Sequence, residues 1–330
     1  MKQTGSWVAG LAVSTVLLAG TALIVWSNRG RLWPESIPLA PAFTYEVDRR
    51  DTRSACVVRA GFAERGEFDT ALTSIRALAA GPDGLVAAAG EGMLVVLDTN
   101  GTPVKAWAVP SDTRCLLYVK SGIWAGVGDH LVQWAIDGRM LQQTPALASN
   151  AVVTSIAGSG DHLFVADAGT KLVYVCDSTG RVERAFGQRN PTNGVEGFLI
   201  PSPYFDLAMA PDGLLRVVDP GRHRIEAYTA AGDLEVAWGR PALEVEGFCG
   251  CCNPAHLAVL PDGRFVTSEK GLRRVKVYDA KGVFGGVILG TDILGEGAEP
   301  AAVAVDAAGR VLVALPDGGK VRTYEPIERR

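Results

Sequence analysis

From about residue 70 to residue 325 the apolar positions fall in short runs, without the three-and-four spacing of an amphipathic helix. The pattern is clearest over 205–239, FDLAMAPDGLLRVVDPGRHRIEAYTAAGDLEVAWG. Its apolar runs are 205–210, 214–218, 224–229 and 234–238, separated by Pro211-Asp212-Gly213, Asp219-Pro220-Gly221-Arg222-His223 and Ala230-Ala231-Gly232. β-favouring runs punctuated by Asp-Gly and Pro-Gly predict a four-stranded antiparallel meander. Residues 255–289 repeat the arrangement, with turns at Pro261-Asp262-Gly263, Glu269-Lys270-Gly271 and Asp279-Ala280-Lys281-Gly282. Two such copies, spaced about 50 residues apart, indicate a repeat architecture.

Four further copies follow the same pattern: 75–109, 115–143, 152–187 and 301–324. The last stops near its third strand, so a closed ring needs a strand from elsewhere. Residues 43–47 or 55–60 are the candidates for closing it from the front of the chain. The expected fold is therefore all-β, a six-bladed β-propeller of four-stranded antiparallel blades with no long exposed edges.

The sequence Asp219-Pro220-Gly221-Arg222-His223-Arg224-Ile225-Glu226-Ala227-Tyr228, with Gly232 and Trp238-Gly239 after it, resembles an NHL repeat. The resemblance spans about residues 70–325. It is strong in the third to fifth copies and weak in the second, where Ser121-Gly122-Ile123-Trp124 replaces the Asp-Gly turn. The Gly-Cys-Cys-Asn-Pro run at 250–254 also resembles bacterial NHL-repeat proteins anchored in the membrane. The resemblance implies a six-bladed propeller and leaves the chemistry open, because the fold hosts many functions.

Ahead of the repeats, residues 6–26 read SWVAGLAVSTVLLAGTALIVW, without a charge. As a helix this stretch reaches roughly 30 Å, one bilayer core. A cleaved signal peptide is the rival, but the apolar run continues through Leu23-Ile24-Val25-Trp26. The expected organisation is a tail at 1–5, a transmembrane anchor at 6–26, a linker with the ring-closing strand over 27–66, and the propeller over 67–330. Pro34, Pro38 and Pro41 stiffen the linker. Lys2 lies on one side of the anchor and Arg29 and Arg31 on the other, so the positive-inside rule does not set the orientation. A short tail, one anchor and a large following domain favour a single-pass protein of the cell membrane with a periplasmic or extracytoplasmic propeller.

Composition narrows the partners. The 330 residues carry a net charge of −4, and this lack of a broad basic field argues against nucleic acid. Thirty-nine glycines and eighteen prolines suit a turn-rich β protein.

In a meander blade the first and third turns fall on one face, and the second turns and the blade-to-blade connections on the other. The tight Asp-Gly turns belong to the first face and are structural. The second face carries two long connections, 187–204 and 239–254, and charged turns holding Arg222, His223, Glu269, Lys270, Arg273 and Arg274. Long loops on one end of a rigid scaffold are where recognition sits, so these six are the candidate binding face for a protein partner. Each of these charges also has a plain reading as a solvated turn.

The two connections align without a gap, Val195-Glu196-Gly197-Phe198 on Val245-Glu246-Gly247-Phe248. Cys249, Cys251 and Cys252 then replace Leu199, Pro201 and Ser202, and His256 replaces Asp206. The cysteine run is the strongest local departure from the repeat. Cys249, Cys251, Cys252 and His256 are candidate ligands for zinc, copper or iron, although the spacing fits no standard zinc template. The same cysteines could form a structural disulfide, with one another or with Cys56, Cys115 or Cys176, or a strained bridge between the adjacent Cys251 and Cys252.

No Gly-x-Ser-x-Gly elbow, phosphate-binding loop or His-Glu-x-x-His helix is present, and no catalytic set can be named. Trp107, Trp124, Trp134 and Trp238 read as blade packing. The favoured reading is a membrane-anchored NHL-type propeller acting as a binding or scaffold module, with enzymatic activity not favoured. A metal-binding or redox role for the cysteine loop is the alternative, and a propeller hydrolase or lyase is a weaker one.

Overall fold

The six repeats form six four-stranded antiparallel sheets in a computed structural model that describes residues 60–193, 195–316 and 318–327. These residues all fall in one compact unit. The first blade is Ala77–Ala80, Val86–Gly90, Met93–Leu97 and Pro103–Ala108. The second, weak in sequence, is complete, running from Thr113–Val119 to Met140–Gln143. The third starts at Val153–Ser159 and the fourth at Leu207–Met209. The fifth starts at His256–Val259 and the sixth at Val303–Val305. Each inner strand touches the next around the ring, and the sixth touches the first.

The closing strand is Phe62–Asp69, paired antiparallel with Lys320–Pro326. It forms the outer edge of the sixth blade, and straddles the expected linker–propeller boundary. Of the stretches expected to close the ring, 43–47 lies outside the described residues, as does 55–60 apart from Ala60. The expected anchor at 6–26 is also outside them. Among the described residues no helix is long and apolar enough to cross a membrane.

Burial follows strand position. The second strands, such as Val86–Gly90 and Leu215–Asp219, are buried throughout because neighbouring blades cover both faces. The outer strands Pro103–Ala108, Val182–Phe186 and Leu234–Trp238 are largely exposed. Aromatics on those outer strands join one blade to the next. Trp238 of the fourth blade packs 5.2 Å from Phe265 and 4.9 Å from Tyr278 of the fifth. The glycine of the following blade's third turn seats under such a ring. A Cβ at Gly282 would lie 2.4 Å from Trp238, and one at Gly232 would lie 2.7 Å from Phe186. Phe68, on the closing strand, makes the same contact with Gly101 of the first blade.

The Asp-Gly turns are structural, as their sequence implied. Asp98 Oδ1 accepts from the backbone N–H groups of Asn100 and Thr102, and Asp279 Oδ1 does the same for Lys281 and Val283, all at 2.8 Å. These Asx turns satisfy donors that the tight loop leaves without a strand partner.

Candidate functional site

An acidic residue ends the second strand of three successive blades: Asp167, Asp219 and Glu269. All three are fully buried, and each ties down backbone or cations beside it. Asp167 accepts from the backbone N–H of Val152 at 2.6 Å and of Gly169 at 2.8 Å. Asp219 binds Arg222 and receives the Leu199 N–H at 3.3 Å. Burial raises the Asp219 pKa despite Arg222. Glu269 pairs with Arg274 at 2.6 Å and Lys276 at 3.1 Å, all three side chains being inaccessible to solvent.

This corrects the expected binding face. Glu269 and Arg274 are internal and hold the cysteine connection rather than face a partner. Lys276 donates to the carbonyls of Val245 (3.0 Å) and Gly247 (2.6 Å), and the Tyr278 hydroxyl to that of Glu246 (3.0 Å). Arg222 is committed to Asp219, to the Gly197 carbonyl at 2.6 Å and to Glu196 at 3.2 Å. Arg273 binds the carbonyls of Glu299 (2.6 Å) and Leu294 (3.1 Å). The His223 ring meets the Asn253 carbonyl at 3.1 Å. The charged turns are thus mostly clasps for the long connections, because a loop crossing a propeller face needs partners for its backbone. Lys270 is the half-buried exception. Its Nζ donates to Ser202 Oγ at 3.3 Å and lies 5.0 Å from the Tyr204 ring centroid.

The four expected metal ligands do not converge. His256 Nδ1 meets Asp206 Oδ2 at 3.1 Å, so the two residues aligned between the fourth and fifth blades touch. Arg274 Nη2 donates to Cys249 Sγ at 3.4 Å. Only Cys251 and Cys252 share a contact, Sγ to Sγ at 3.1 Å. Among the described residues no three His, Cys, Asp or Glu side chains form a metal-holding group. Cys115, Cys176, Cys249, Cys251 and Cys252 are all free thiols, and Cys251 is the exposed one. Cys56 lies outside the described residues. Burial pushes the Cys115 and Cys176 thiols up to about 12. Cys249 is also raised, first by burial and then by Glu269. Cys252 differs: burial raises it, but Ser202, Cys251 and Lys270 outweigh burial and hold it below the ordinary thiol value.

A polar cavity lies at the mouth of the central channel, at the starts of the inner strands. The cavity, about 620 Å³ including some open solvent, is lined among others by Arg76, Arg114, Tyr204, Asp206, His256 and Glu299. Arg76 donates to the Ser111 carbonyl at 2.7 Å. The Nε of Arg114 is buried and has no hydrogen-bond partner among the described residues. Burial and Glu299 raise the pKa of Tyr204, so the phenol keeps its proton and remains a donor. Two guanidinium groups, a phenol and an imidazole–carboxylate pair can take an anionic group from one side and a donor from the other.

Sequence reading found only His256 of this set as a site residue. Arg76, Arg114 and Asp206 occur at corresponding blade starts, a polar residue where an otherwise apolar inner strand begins. That positional signal is visible once the repeats are registered. The four tryptophans pack as expected: Trp124 and Trp134 are buried core, Trp107 packs against the first two blades, and Trp238 joins two blades.

No protein-family model matches the chain, and no characterised protein matches it by sequence. Solved structures do match. Virginiamycin B lyase from Staphylococcus aureus superposes with a TM-score of 0.58 at 12% identity, covering 80% of this chain and 99% of that one. A streptogramin B lyase gives 0.56 at 15%, covering 80% and 97%. The WD40 propeller domain of Doa1 gives 0.53 at 15%, covering 76% and 78%. At these identities the likeness is one of fold, and the chain is a six-bladed β-propeller.

Proposed function

We propose that this chain is a membrane-anchored, NHL-type binding module that takes a partner on the face of its long connections. In this reading an acidic group of the partner enters the channel mouth against Arg76 and Arg114. The observation that carries the proposal is the buried, unpartnered Arg114 Nε in a cavity that also holds Arg76. A buried donor without a partner loses about 1–3 kcal/mol, and an acceptor from a bound group would recover it. Residues 6–26 supply the anchor, and the propeller is extracytoplasmic. The lyase folds among the matches do not argue for catalysis here, because fold does not carry chemistry.

The test uses full-length protein in detergent-solubilised membranes, with captured partners quantified against an Arg76→Glu/Arg114→Glu variant. The partner is expected to disappear with that variant and to remain with Lys281→Glu, on the opposite face. Retention of every partner by the mouth variant would overturn the reading. Protease added to intact cells should digest the propeller if it is extracytoplasmic.

A further inference from the structure

From the same loop we infer a second site, independent of the binding proposal: Cys251 and Cys252 form a redox-active dithiol that exchanges with a small anionic disulfide at the rim of the channel mouth. The two sulfurs are 3.1 Å apart. Cys251 is exposed, whereas Cys252 is only 3% accessible. The pair therefore offers one sulfur to an incoming molecule and keeps the other behind it.

Several neighbours fix this geometry. Asn253 clips the loop by donating to the carbonyls of Cys249 (2.7 Å) and Lys270 (2.9 Å) while accepting the Lys270 N–H at 2.9 Å. Lys270 brings a cation to the pair, and Ser202 a hydroxyl. A thiolate at Cys252 suits this surrounding, and the hydrogen bond with Cys252 keeps the proton on Cys251. The Lys270 cation beside the pair favours a disulfide that bears carboxylates.

The exchange balances as follows. The Cys251 proton passes to the Cys252 thiolate as Cys251 Sγ attacks the disulfide. A mixed disulfide forms and one thiolate leaves, taking that proton from Cys252. Cys252 Sγ then attacks Cys251 Sγ and expels the second thiolate, which takes a proton from solvent. The dithiol gives up two electrons and the substrate is reduced to two thiols. The product bridges adjacent residues, whose Cα atoms are about 3.8 Å apart, closer than the usual ~4.4–6.8 Å. A bridge strained in this way is readily reduced, which suits a reversible device. Cys249 takes no part, because its sulfur is buried against Arg274.

The full-length protein should be equilibrated with mixtures of oxidised and reduced glutathione, its thiols alkylated, and the 249–252 peptide weighed. Cys251 and Cys252 are expected to lose alkylation together, with the loss of two hydrogens, and dithiothreitol should restore both. Cys115 and Cys176 should stay thiols. Cys252→Ser should trap glutathione on Cys251, and Cys251→Ser should trap none. Lys270→Met should slow bridging several-fold near neutral pH, with the deficit closing above the ordinary thiol pKa of ~8.5. Two free thiols in excess oxidised glutathione would overturn the inference, as would a bridge from Cys249 to either neighbour. Neither cysteine substitution touches the arginine mouth, so failure here and failure of partner binding read out separately.

Discussion

Glu269, Arg274 and Lys276 bury two cations and one anion against the cysteine connection. Removing the anion leaves like charges together out of water, so Glu269→Gln should destabilise by about 3–5 kcal/mol in denaturant unfolding. Lys276 gives a pH signature. Burial, opposed by Glu269, lowers its pKa to about 8, below the ~10.4 of an unfolded lysine. Between those values the unfolded chain holds more protons, so stability rises with pH. The contribution is complete above the unfolded value and lost as pH falls through about 8. The stability difference between the wild type and Lys276→Met should therefore shift in favour of the wild type across that window. The limit is about 1.4 kcal/mol per unit, and a flat difference would show that Lys276 is not held away from its proton.

At the scale of the element, the third turn of the first, second, fourth and fifth blades is both a turn and a socket. Gly282 and Gly213 both have φ of +81°, but only Gly282 has an aromatic ring over it. Gly213→Ala should cost only the left-handed penalty of about 1–2 kcal/mol. Gly282→Ala should cost that and a further ~1–3 kcal/mol, because Trp238 must move. Equal losses in paired unfolding curves would mean that the ring yields freely. The Asp-Gly turns and the strands between them were legible locally, because turn chemistry and alternating runs act over a few residues. The socket was not, since its two halves belong to different blades.

For the whole molecule, stability depends on one strand from the front of the chain. Phe62–Asp69 covers the edge at Lys320–Pro326 and brings Phe68 to Gly101. Deleting residues 60–69 should expose that edge, replace a single cooperative unfolding transition by a broad one, and promote self-association. Calorimetry and size-exclusion chromatography read both effects. An unchanged single transition in a monomer would show that the ring holds without the strand.

Sequence by itself determined the repeat number, the strand order within each blade, and the need for a closing strand. Each follows from apolar runs and turn residues that act over short range. It also singled out the cysteine run as a departure from the template. Tertiary structure decided what these charges and sulfurs do. Glu269 and Arg274 read as surface turn residues until the neighbouring connection covered them, and His256 read as a metal ligand until Asp206 of the preceding blade met it. Arg76 and Arg114 line one cavity because successive blades set their first strands side by side around the channel. The order of residues specifies local hydrogen bonds and packing period, whereas charge burial and site geometry depend on which blades become neighbours.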